Sequence, residues 1–104
     1  MAIQKRKLKT KDEYKVKFTL PAEISKEFNT ASIVGDFNMW DPNKHVMKKN
    51  KKSGEFTITI NLPAKNKFKF RYLLDGVQWI NDDQADDFIQ SHFGDAIDCV
   101  IILD

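Results

Sequence analysis

Glu13-Tyr14-Lys15-Val16-Lys17-Phe18-Thr19-Leu20 alternates polar and apolar side chains over its whole length. Successive side chains of a β-strand leave opposite faces, so Tyr14, Val16, Phe18 and Leu20 share one face and the polar residues the other. That is the pattern of a half-buried strand. Pro21 ends it. Phe56, Ile58, Ile60 and Leu62 alternate with Thr57, Thr59 and Asn61 in the same way, and Pro63 closes that run. Phe68, Phe70, Tyr72 and Leu74 then oppose Lys67, Lys69, Arg71 and Leu73. Working outward, short strands are expected at residues 31–34, around Val46 and Met47, at 77–80 and at Ile97–Leu103, with a hairpin tip at 50–54. The last run is nearly all apolar, which implies burial on both faces or against a partner. Only residues 21–28 offer a helical turn. About seven short strands joined by turn residues predict an all-β, antiparallel β-sandwich. Tyr14, Val16, Phe18, Phe56, Ile58, Ile60, Phe68, Phe70 and Tyr72 are expected to face inward.

With 104 residues, 41% apolar and 12% aromatic, the chain suits one domain with a single core. Residues 1–12 read as a basic, mobile arm, and residues 13–104 as the domain. No apolar run reaches the roughly 18 residues of a membrane span. The basic start is not followed by an apolar stretch, so no secretory signal is expected. The single cysteine, Cys99, lies in an apolar run and is expected to be a buried, free thiol, which suits a reducing cytoplasm. The net charge of +2 is unevenly spread: lysines crowd the start and the 48–52 turn, while after Arg71 only acidic charges occur. Lysines at strand edges and hairpin tips keep those edges unpaired, and the acidic second half would repel phosphate. Neither nucleic acid nor membrane is expected as a partner.

Catalytic constellations are missing. His45 and His92 stand far apart, outside any metal-ligand spacing, and read as surface residues. Cys99 lacks the electropositive setting of a reactive thiolate. Asp82, Asp83, Asp86 and Asp87 do not follow the order of a calcium-binding loop and read as solvated loop charge. No metal, cofactor or enzymatic activity is expected.

The two tryptophans sit in two local patterns, Gly35-Asp36-Phe37-Asn38-Met39-Trp40 and Asp75-Gly76-Val77-Gln78-Trp79. Each indole either pins a turn to the core or presents a flat aromatic surface to a ligand. The first pattern, with Gly54-Glu55-Phe56, Phe70-Arg71-Tyr72-Leu73-Leu74-Asp75-Gly76 and Trp79 in order behind it, resembles the glycogen-binding domains of the AMP-activated protein kinase β subunit and the N-terminal domains of isoamylase and branching enzymes. The resemblance covers about residues 13–103. It implies an early-set, immunoglobulin-like sandwich that is non-catalytic and binds α-1,4-linked glucan (glycogen or starch). It places Trp40 and Trp79 as the two sugar-cradling tryptophans and Arg71 where the family has a lysine. Leu73 lies beside them. Phe93 and Asp95 fall in a late loop that closes over the sugar, where leucine and threonine are usual. The family's asparagine before the last strand falls on Ile97 here, with Asp98 next to it as an acceptor. Asn38, Gln78 and Asn81 are candidates for a polar rim. The alternative is a protein-interaction or scaffold domain of the same fold that uses the indoles as apolar anchors.

The Asp75 hairpin separates core from platform. A two-residue turn pairs Tyr72 with Trp79 and sends the indole inward. A three-residue loop, with Gly76 in the left-handed conformation, pairs Leu73 with Trp79 and sends it outward beside Arg71. The second register is favoured, because the first crowds Trp79 against Tyr72 in a Phe-rich interior.

Overall fold

The computed structural model describes residues 1–91, 94 and 96–104. Among these run nine strands: β1 (Ala2–Lys7), β2 (Glu13–Leu20), β3 (Ala31–Gly35), β4 (Lys48–Lys49), β5 (Phe56–Pro63), β6 (Asn66–Leu74), β7 (Gln78–Ile80), β8 (Asp87–Gln90) and β9 (Ile97–Leu103). They form two antiparallel sheets, ordered β1-β2-β5-β4 and β3-β6-β9-β8, with β7 added to β6. The all-β sandwich expected from the alternation is the fold found.

The core follows from that alternation. Across β2 and β5, Val16 faces Ile60, Phe18 faces Ile58 and Leu20 faces Phe56. Against them the second sheet sets Ile33, Phe70, Tyr72, Leu74, Cys99 and Ile101, all buried. Tyr14, Ile58 and Phe68 pack partly buried on the same cluster. Phe18 meets Phe70 edge to face across the two sheets at 5.5 Å, and Phe70 meets Tyr72 in the same manner at 5.8 Å. Such pairs add stability beyond the area they bury. The helical turn expected in 21–28 is a single α-turn, Ala22–Ser25.

Four local expectations are corrected. The segment read as a mobile arm holds β1, which pairs along its length with β2 from Ala2 opposite Thr19 to Lys7 opposite Tyr14. Ile3 packs on the core. Lys5 reaches across the open side of the sandwich to Asp86 at 2.6 Å and the Ile102 carbonyl at 3.2 Å. An edge strand tolerates cations that would be costly in a central one. Secondly, the stretch 81–96, where no strand was expected, holds β8, which pairs with β9. Thirdly, the strand expected at Val46 and Met47 shifts to Lys48–Lys49, leaving Val46 one isolated bridge to Ser32.

The fourth concerns the aspartate cluster. Asp82 is fully buried rather than solvated. It accepts the Tyr72 hydroxyl at 2.6 Å and the Gln84 amide at 2.8 Å, while its own N–H donates to Cys99 Sγ at 3.1 Å. A buried carboxylate is tolerable when its oxygens are hydrogen-bonded in this way.

The Asp75 hairpin adopts the three-residue register. Leu74 pairs with Gln78 and Leu73 with Trp79. Gly76 takes the left-handed conformation at φ 70°, and Asp75 joins it at φ 50°. Asp75 also accepts the Asn29 and Thr30 amides at 2.8 and 2.9 Å, which ties the hairpin to the entry of β3. Trp79 therefore leaves the outer face of the second sheet.

The buried Tyr72–Asp82–Cys99 group makes the fold sensitive to base. Burial raises Tyr72 well above its ordinary value, with Asp82 adding to the effect. Burial likewise pushes the Cys99 thiol up to about 11. Both groups are neutral when protonated, so the unfolded chain loses these protons first. Between pH 9, where an ordinary thiol ionises, and about 11, stability should fall as pH rises. The melting temperature should drop across that window, and Cys99→Ala should flatten part of the slope. Native Cys99 should also resist thiol reagents, because labelling must await local opening. A pH-independent melting temperature, or labelling at the rate of the unfolded chain, would contradict this arrangement.

Candidate functional site

β3 ends in close contact with β6. Gly35 lies opposite Phe70, and a Cβ at position 35 would stand 2.3 Å from the Lys69 carbonyl oxygen and 2.7 Å from Phe70 Cβ. Only glycine fits there. The chain then turns back over β6 through a 3₁₀ turn, Asp36–Asn38, and passes through Met39 and Trp40 in the left-handed region at φ 60° and 57°. Non-glycine residues held there cost about 1–3 kcal/mol each and persist only when their surroundings enforce them.

Asn38 supplies much of that enforcement. Its Oδ1 accepts the Gly35 amide at 3.0 Å, and its Nδ2 donates to the Ile33 carbonyl at 3.0 Å and to His45 Nδ1 at 2.9 Å. The Trp40 amide donates to the Gly35 carbonyl at 2.9 Å. In that arrangement His45 Nδ1 is an acceptor and the ring is neutral. Partial burial, with Lys44 nearby, lowers its pKa and favours that form. Asn38 was a candidate for the polar rim. It is instead buried, with its amide consumed inside the turn.

Two carboxylates set the side chains above this turn. Asp36 Oδ1 accepts the Trp40 indole N–H at 2.9 Å, while Oδ2 accepts the Lys69 backbone N–H at 2.8 Å. The indole is thus tied to β6. On β6 itself, Arg71 Nε donates to Asp98 Oδ1 at 2.6 Å. Their side chains are only 16% and 5% exposed, so this pair has far less solvent screening than a surface salt bridge. The Arg71 guanidinium carbon lies 5.7 Å from the centre of the Trp79 ring, within cation–π range.

Asp36, Trp40, Lys69, Arg71, Trp79, Ser91 and Asp98 line one depression of about 450 Å³ on the outer face of the second sheet. Trp40, Arg71 and Trp79 come from three separate segments and converge there. Trp79 remains 45% exposed. Leu73, also a candidate, is buried opposite Trp79 in the β6–β7 pairing. Gln78 is exposed but stands opposite Leu74, on the other face of the strand from Trp79. Asn81 is half-buried past the end of β7. Neither contributes to the lining. Phe93 and Asp95, together with His92, lie outside the described residues.

Among the described residues the polar lining consists of Asp36, Lys69, Arg71, Ser91 and Asp98, and includes none of Asn38, Gln78 and Asn81. Asp36 had a local signal, since it stands four residues before Trp40 in a turn and can reach back to the indole. Asp98 reaches Arg71 only through the pairing of β6 with β9. Among the described residues, no group of three or more His, Cys, Asp or Glu side chains is placed to hold a metal ion.

The Asp36 bonds can be tested directly. Asp36→Ala removes the acceptor of the Trp40 indole and the Lys69 amide; both bonds are solvent-exposed, so the loss should cost about 0.5–1.5 kcal/mol of stability in urea unfolding. The Trp40 indole proton should also move upfield as its hydrogen bond is lost. An unchanged indole resonance would show that Asp36 does not hold the ring.

The family model for carbohydrate-binding module 48, the isoamylase N-terminal domain, matches residues 8–86. Among curated proteins none matches the chain closely enough to count as a relative. The matched span contains the Gly35 turn, Arg71 and the Trp79 hairpin, and its all-β sandwich is the fold described above. The chain belongs to the carbohydrate-binding module 48 family, whose members are non-catalytic, carbohydrate-binding β-sandwiches.

Proposed function

We propose that this protein binds α-1,4-linked glucan through Trp40, Arg71 and Trp79, without catalysing a reaction of its own. The observation that carries the reading is the convergence of these three side chains on one open depression. A pyranose ring presents polarised C–H bonds on its face, and an indole offers a flat, electron-rich surface to them. Two indoles from different segments can hold successive sugars of a curved α-glucan, while the Arg71 fork donates to hydroxyls between them. A small number of placed polar groups then fixes orientation. Among the described residues, the two carboxylates of the depression are each committed to a protein donor, Asp36 to Trp40 and Lys69, and Asp98 to Arg71. They are structural acceptors rather than a poised acid and base, which supports a binding role over a hydrolytic one. The ligand we propose is glycogen- or starch-like.

A protein-docking reading draws on a different place. Phe88, Ile89 and Ile97 are 47%, 46% and 49% exposed along β8 and the start of β9. With Gln90 they line a second, smaller depression and not the tryptophan-lined one. Sugar binding and protein docking are therefore separable by mutation.

Titration with maltoheptaose, followed by tryptophan fluorescence and calorimetry, tests the proposal. Trp40→Ala and Trp79→Ala should each weaken binding about five- to a hundredfold, by analogy with base–aromatic stacking. The Trp79 variant should stay folded. Affinity should change little between low and high salt, since a neutral ligand releases no counterions. If neither tryptophan responds at millimolar sugar, the glucan reading fails and the β8 surface becomes the place to look.

A further inference from the structure

We infer that Asp98 is a positioning residue that makes Arg71 a charge-compensated, oriented hydrogen-bond fork stacked on Trp79. This rests on the glucan reading of the depression. Asp98 is 4% exposed on β9. The register that sets Phe70 opposite Cys99 places it beside Arg71 on the outer face. Its Oδ1 takes Nε, the donor nearest the Arg71 backbone, at 2.6 Å. The Nη groups of Arg71 have no protein partner among the described residues, and the guanidinium carbon lies 5.7 Å from the Trp79 ring centre. One carboxylate thus fixes the plane of the guanidinium at its inner edge. The outer edge is left to face the depression that both residues line.

Three consequences follow from the chemistry. A mostly buried guanidinium without a counter-charge would carry a desolvation penalty, and Asp98 offsets it. The pair as a whole has no net charge, so the site offers donors to neutral hydroxyls without gathering anions. A lysine at position 71 could not replace the arginine here. Its single nitrogen would be drawn to Asp98, and its compact ammonium does not stack on Trp79 as a planar guanidinium does. Asp98 acts through Arg71 and not as the sugar's own acceptor.

The test combines nitrogen-detected NMR of the arginine side chains with a double-mutant cycle on maltoheptaose affinity. In the unaltered protein the Arg71 Nε–H should give a separate resonance protected from solvent exchange. A solvent-averaged Arg71 signal overturns the inference without any variant being made. Asp98→Asn should restore fast exchange at Nε and shift the Trp79 indole, while thermal unfolding confirms that the fold persists. Asp98→Asn and Arg71→Lys should each weaken maltoheptaose binding about fivefold or more, and the double variant should bind no more weakly than the weaker single one. Losses that multiply in the double variant would mean that Asp98 meets the sugar independently of Arg71, which contradicts the inference. If the unaltered protein binds no maltoheptaose, the glucan reading fails on its own, and the exchange and indole data still decide whether Asp98 orients Arg71.

Discussion

The outer face of the second sheet depends on how closely the end of β3 approaches β6. A side chain at position 35 would place its Cβ 2.3 Å from the Lys69 carbonyl, so the approach requires glycine. From that contact the chain can fold tightly back over β6, which brings Asp36 within reach of the Lys69 amide and Trp40 above the neighbouring strand residues. If the turn stood further off, Asp36 would lose its hold on β6 and Trp40 would point into solvent. The left-handed backbone at Met39 and Trp40 is the strain this geometry carries. Asn38 offsets it by satisfying three groups at once.

β6 organises the molecule on both of its faces. Arg71 projects outward to Asp98 and Trp79, and its neighbour Tyr72 projects inward to Asp82. The hairpin carrying Trp79 is consequently fixed at both ends. Asp75 captures the Asn29 and Thr30 amides before it, and Asp82 is locked to Tyr72, Gln84 and Cys99 behind it. An indole on a hairpin so constrained loses little further freedom on meeting a ligand, and such preorganisation reduces the entropic cost of binding. Acidic residues that look like surface charge in the sequence thus act as the fasteners of the site.

Local periodicity made the sandwich readable. The alternating runs of β2 and β5 bury one face each, and a period of two leaves little choice of which residues are inside. The Asp75 hairpin was readable for a similar reason, because only one register kept Trp79 out of a crowded interior. Features that depend on distant pairing were not readable. Ala2–Lys7 has cations on both faces and becomes a strand only because β2 offers it an edge. Asp82 resembles its solvated neighbours until the fold sets it under Tyr72. Asn38 has the composition of a binding residue but is consumed by its own turn. Asp98 becomes a partner of Arg71 only once β9 lies next to β6.

In the proposed complex one sugar chain touches both indoles at once. The most direct measurement is a set of intermolecular nuclear Overhauser effects between maltoheptaose and the isotope-labelled protein. Sugar ring protons should show contacts to the indole protons of both Trp40 and Trp79 in a single complex, with Arg71 Nη protons shifting on binding. Contacts confined to one indole, or to the Phe88–Ile89 surface, would contradict the account.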